Sequence, residues 1–99
     1  MSFAKDWLFN HPVTRRVNDG YFENDGIRHH YVTLGEGKLV IFIHGIPEFW
    51  YSWRHQIEAL STQYQVVALD QRGFNESGKP ASNDGYRVER LVEDVAALI

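Results

Sequence analysis

The chain has 99 residues, 43% of them hydrophobic and 23% charged, the mixture of a globular protein rather than a disordered one. Its formal charge of -3, with lysines and arginines scattered along the sequence, gives no footprint for a nucleic-acid backbone. There is no cysteine, which excludes disulfides and thiolate zinc sites, and no apolar run approaches the ~20 residues of a membrane span. A cytoplasmic location is expected, because the first residues lack a basic stretch followed by a long apolar core. Asn75-Glu-Ser77 fits a glycosylation sequon, which has no consequence without export.

Residues 1–17 combine Phe3, Trp7, Leu8 and Phe9 with a turn at His11-Pro12 and read as a short amphipathic lead-in that docks elsewhere. From Val17 to Leu34, aromatic and β-branched residues flank Asn24-Asp25-Gly26, the signature of a tight hairpin between two half-exposed strands. Leu39 to Ile43 is an unbroken apolar run of strand length, expected to be buried on both faces. In the next segment Trp53, Ile57, Leu60 and Tyr64 mark one face of a helix over 52–63, with Ser52 as its expected N-cap. A second buried strand, Gln65 to Asp70, makes 39–70 a parallel strand-helix-strand crossover and the fold class α/β. Gln71 to Gly85 is loop, rich in Gly, Asn and Ser, at the strand edge where ligands bind in open α/β sheets. Val88, Leu91, Val92, Val95, Leu98 and Ile99 then form a helical stripe on which the sequence stops. Two strands apolar on both faces need more cover than this length supplies. A C-terminal truncation is therefore expected, with folding dependent on the missing part or on a partner chain.

The segment richest in chemistry is His44-Gly45-Ile46-Pro47-Glu48, directly after the first apolar strand. Glycine allows a sharp turn and proline fixes the chain behind Ile46, so backbone N–H groups can serve as preorganised donors to a developing anion. A strand-to-helix turn that merely needs Gly and Pro is the plain alternative.

Together, His44 to Ile57 (HGIPEFWYSWRHQI) and Asp70 to Pro80 (DQRGFNESGKP) resemble two signature segments of the α/β-hydrolase superfamily and, within it, of the epoxide hydrolases. The resemblance runs from near Tyr21 to Ile99 and covers about the first third of such an enzyme. It implies an incomplete α/β-hydrolase fold: an N-terminal β-hairpin, then parallel strand-helix-strand-helix. Residues 1–17 would be the lead-in, and residues 18–99 the N-terminal part of the core domain, truncated before the nucleophile elbow and cap domain. In the family, the residue between Gly and Pro lends its backbone N–H to the oxyanion hole; here that is Ile46. His44 is implied to shape the loop, not to act as base. The aspartate nucleophile, the histidine base with its acid partner, and the cap tyrosines would all lie beyond Ile99, so no catalytic residue is expected in this chain. The implied reaction opens an epoxide to a vicinal diol through an aspartyl alkyl-enzyme ester, on a small apolar substrate and without a cofactor. A haloacid or haloalkane dehalogenase of the same fold and a non-catalytic truncated module are the alternatives, with a nucleotide-binding domain more remote because no Gly-x-Gly-x-x-Gly follows either strand.

Glu48, Phe49 and Trp50 are candidate pocket-wall residues, with Trp53 beside them, although aromatics at a helix start are commonly core. His29 and His30 alternate across a strand, cannot share a metal, and are expected to be exposed structural residues, while the isolated His11 and His55 read as surface or cap residues. Asp70 is read, by the resemblance, as organising the turn after it. Gly73 to Lys79 only mimics a phosphate loop: Pro80 stands where a metal-binding hydroxyl belongs, and no helix follows.

Overall fold

The computed structural model describes residues 11–45, 48–81 and 83–99. Residues Pro12–Arg15 form a 3-10 turn, capped by the His11 ring, which accepts from the Val13 N–H at 3.1 Å. Strands β1 (Asn18–Asn24) and β2 (Ile27–Leu34) form the expected hairpin, with Asn24 opposite Ile27. Asp25 and Gly26 turn the corner at φ 57 and 70, the left-handed pair that a two-residue hairpin loop requires. Strand β3 (Lys38–Ile43) leads to a 3-10 turn at Trp50–Trp53 and helix α1 (Arg54–Leu60). Strand β4 (Tyr64–Asp70), a 3-10 turn at Asn83–Tyr86 and helix α2 (Val88–Leu98) follow. The predicted helix over 52–63 is thus shorter. Ser52 is not its cap: it sits inside the 3-10 turn, so its hydroxyl reaches back to donate to the Phe49 carbonyl at 3.0 Å instead of forward to free amides.

The sheet order is β1-β2-β4-β3, with β3 and β4 parallel and the other pairs antiparallel. Register puts Val32 opposite Ala68, Leu34 opposite Val66, and Val40 and Phe42 opposite Val66 and Ala68, so these side chains share one face. That face carries the core, where Val32, Val66 and Ala68 pack with Val13, Trp50 and Ile57. Placing Ile57 there is what α1's periodicity achieves, and its truncation to alanine would cost about 2–5 kcal/mol. On the opposite face Tyr31, Thr33, Ile41 and Val67, together with Leu98 and Ile99 at the end of α2, line an open pocket of about 220 Å³.

Strand β4 is buried from Val66 to Asp70, as its composition predicts, but β3 is not. It is an edge strand here, with Leu39 46% and Ile43 42% exposed, because no strand lies beyond it among the described residues. The stripe on α2 also departs from expectation. Val88 and Val92 are 70% and 60% exposed, whereas Asp94 is buried. Leu91, Val95 and Leu98 of the stripe are half-buried, and Asp94, one turn from both Leu91 and Leu98, is held on that inner face by Arg72, whose Nε and an η-nitrogen both donate to its carboxylate at 2.7 Å.

Candidate functional site

The carboxyl ends of β3 and β4 lie side by side, and the segments leaving them are tied together. His44, 3% exposed, places its Nδ1 2.7 Å from the Gly45 carbonyl, while its Nε2 accepts the Gln71 N–H at 2.9 Å. The Gln71 side-chain amide in turn donates to the His44 carbonyl at 2.8 Å. An acceptor at Nδ1 and a donor at Nε2 assign the neutral tautomer with the proton on Nδ1. Both ring nitrogens are consumed by the backbone, which suits a loop-shaping histidine and leaves no lone pair for base chemistry.

Gly45 is exposed, and its N–H donates to the Glu48 carboxylate at 3.0 Å, while the Glu48 N–H closes back on the Gly45 carbonyl at 3.0 Å. Ile46 and Pro47, the expected anion-donor position and its neighbour, lie outside the described residues. Of the three candidate wall residues, Glu48 is exposed and Phe49 half-buried. Trp50, 2% exposed, belongs to the core and not to an open wall, since its ring packs in the cluster with Val13 and Ala68. Phe49 and Tyr51 stack at 6.2 Å beside it.

The far end of this loop is held by Asp70. Its Oδ1 accepts the Trp50 N–H at 2.8 Å, and its Oδ2 accepts from Asn75 at 2.8 Å and faces His30 Nδ1 at 2.6 Å. Ser77 completes the junction, donating to the Asp70 carbonyl and accepting the His30 N–H at 2.8 Å. Asp70 therefore organises the turn after it, through Asn75 and Ser77, and the turn before α1 as well. The other nitrogen of His30 meets Asp19 at 2.6 Å. Burial disfavours the charged ring, but the hydrogen bonds to Asp70 and Asp19 outweigh it and hold the His30 pKa above its ordinary value.

His29 and His30, expected at the surface, are both fully buried. They do point to opposite faces: His29 Nε2 approaches Asp94 at 3.2 Å, and His30 faces Asp70. Arg72 forms the second ionic knot, joining Asp94 on α2, Asp25 in the hairpin turn at 3.2 Å and the Gly85 carbonyl at 2.8 Å. Its hydrogen bonds to Asp94 more than offset desolvation, so its pKa is raised further. These partnerships were missed in sequence. A signal existed in two carboxylates, Asp70 ending an apolar strand and Asp94 interrupting an apolar helix stripe, each of which needs a buried partner. His11 is half-buried against His55, with ring centroids 4.9 Å apart. Among the described residues no cluster of three or more His, Cys, Asp or Glu could hold a metal, and no helix is long and apolar enough to cross a membrane.

A strand, a tethered loop, a crossover helix and a second parallel strand form a recognisable α/β unit. Residues 38–99 match the α/β-hydrolase fold family, and the chain belongs to it. It is 47% identical over 79 residues to epoxide hydrolase 4 of Mus musculus, covering 78% of this chain and 22% of that protein. Epoxide hydrolase 1 of Caenorhabditis elegans is 44% identical over 81 residues, covering 80% of this chain and 20% of the relative. The crystal structure of an epoxide hydrolase from Vigna radiata superposes with a TM-score of 0.82 at 45% identity, over 85% of this chain and 28% of that one. The chain thus spans only about a quarter of the length of these relatives.

Proposed function

We propose that these residues are the N-terminal part of a hydrolase of the epoxide-hydrolase type, supplying half of an oxyanion-binding site and none of the reacting groups. The supporting observation is the double tether of the loop after β3: His44 bonds Gln71 at one end, and Asp70 holds the Trp50 amide at the other. A loop fixed at both ends keeps its backbone N–H groups preorganised, which is what stabilising a transient anion requires. In the full reaction an aspartate from a later segment would attack an epoxide carbon to form an alkyl-enzyme ester, while a tyrosine of the later cap domain would protonate the oxygen released as the C–O bond breaks. Water, deprotonated by a later histidine, would attack the ester carbonyl, and the Ile46 N–H would hold the oxyanion until the diol leaves and the carboxylate is restored. Ile46 brings no polar side chain for a departing halide, which favours epoxide opening over dehalogenation. The substrate is then a small apolar epoxide and the setting cytoplasmic, while the chain by itself turns over nothing and relies on further polypeptide to complete its fold.

The test is a chimera in which this chain replaces the matched segment of the Vigna radiata enzyme. Diol formation from a styrene-oxide-like substrate supports the reading. Halide release from haloalkanes or haloacids with no measurable diol overturns it.

A further inference from the structure

Asp70 is fully buried, is followed directly by the Gln71 that clamps His44, and draws the partners of its carboxylate from three segments. Trp50 comes from the loop after β3, Asn75 from the turn after β4, and His30 from the adjacent strand β2. His30 continues the chain outward to Asp19 on β1, whose side chain is 58% exposed. We propose that Asp70 is a positioning residue for the His44–Trp50 loop, setting its far end through the Trp50 amide, and that the buried His30 is the brace that keeps its carboxylate aimed there. This rests on the epoxide-hydrolase reading only for the loop's purpose; the brace itself concerns groups already in contact.

The chemistry distinguishes the two carboxylates. A doubly bonded imidazolium donates to both, whereas a neutral ring has one N–H and must release one of them. Asp70 has no solvent to turn to, and leaving a buried carboxylate short of a donor is costly; Asp19 can rotate into water. Deprotonation of His30 therefore frees Asp19 and spares Asp70. The anchor persists when the outer link is lost. The groups around the ring are Asp19 and Tyr21 from β1, Asp70 from β4, and Asn75 and Ser77 from the following turn. Glu76 and Arg28 stand one contact further out, bonded to the Tyr21 hydroxyl and stacked on its ring.

Nuclear magnetic resonance of the isotope-labelled chimera separates these roles. In the unaltered chimera, raising the pH through the His30 transition is expected to shift the Asp19 carboxylate resonance while the Trp50 amide shift and exchange rate stay within twofold. Asp70→Asn should accelerate Trp50 amide exchange at least tenfold relative to the amides of Ile57 and Val67, whereas Asp19→Asn should lower the His30 transition and leave Trp50 unchanged. Equal acceleration at all three amides, an unaltered Trp50 amide in Asp70→Asn, or a Trp50 shift that tracks His30 deprotonation would each overturn the proposal. Should Asp70→Asn fail to fold, the titration of the unaltered chimera still decides. In the chimera, Asp70→Asn should lower kcat at least tenfold with KM unchanged within twofold, while Asp70→Glu recovers part of the loss. A chimera with no epoxide activity would refute the proposed function, while the resonance measurements would still judge the brace.

Discussion

Replacing Asp94 by alanine would test how much of this fold hangs on one ionic knot. Arg72 is fully buried, and its two 2.7 Å bonds to Asp94 are the shortest it makes. The remaining acceptors, Asp25 at 3.2 Å and the Gly85 carbonyl at 2.8 Å, both engage the same terminal nitrogen, so the other nitrogens would face no acceptor. Asn24, donating to Asp94 at 2.9 Å, would lose its partner too. Arginine cannot escape by shedding its proton. Breaking such a pair from one side costs about 3–5 kcal/mol, against a total of about 5–15 kcal/mol for a domain. At a urea slope of about 1–3 kcal/mol per molar, the midpoint should fall by about 1 M or more. The assay is urea unfolding of the chimera followed by tryptophan fluorescence. The double replacement Arg72→Met with Asp94→Leu should recover part of the loss, because it leaves no buried guanidinium without its counter-charge, although Asn24 and the Gly85 carbonyl still lose a bond. A midpoint drop below about 0.3 M for Asp94→Ala, or a double variant less stable than the single one, would refute this reasoning.

Three further outcomes follow from the same geometry. Because the folded pKa of His30 is raised, its contribution to stability is fully present below the ordinary value near 6.5 and is lost as pH rises through the folded value; urea midpoints measured from pH 5.5 to 9 should show that decline, and His30→Gln should flatten it. Gly35, at φ 90, would drive a new Cβ into the Tyr64 and Ser61 carbonyls, whereas Gly26, at φ 70, has open space around it. In the chimera, Gly35→Ala should therefore abolish the native circular dichroism, while Gly26→Ala costs about 1–2 kcal/mol. Finally, Leu39→Lys with Ile43→Lys should raise the concentration at which the isolated chain stays monomeric in sedimentation, since both apolar side chains are over 40% exposed on an edge strand.

Local rules carried the hairpin, the parallel crossover and the order of elements, because each was written in adjacent residues: Asp25-Gly26 for the turn, five apolar residues in a row for β3, and a four-three-four spacing for α1. The turn after β3 was expected at His44-Gly45 for the same reason, and the Ile46-Pro47 part of that expectation lies outside the described residues. What escaped were effects set by distant partners. His30 and Asp70 are forty residues apart, and a histidine beside another histidine on a hairpin gives no hint of which carboxylate will bury it. The stripe on α2 holds in part, with Leu91, Val95 and Leu98 half-buried and Val88 and Val92 exposed, but its periodicity gives no hint that Asp94 between Leu91 and Leu98 is buried by an arginine twenty-two residues away. The edge position of β3 could not be read from its own residues, since burial on both faces depends on neighbours that a strand does not encode.

The strand order carries a consequence for how the polypeptide emerges from the ribosome. Strand β4 is the last of the four to be made, yet it lies between β2 and β3 and pairs with both. The hairpin can close on itself early, but β3 has no hydrogen-bonding neighbour among the described strands until Asp70 has left the exit tunnel. At about 5–20 residues per second, that leaves an apolar strand from Leu39 to Ile43 unpaired for a period on the order of seconds. During that interval it is a binding site for any holdase that recognises short extended hydrophobic segments, and insertion of β4 is the event that ends the exposure.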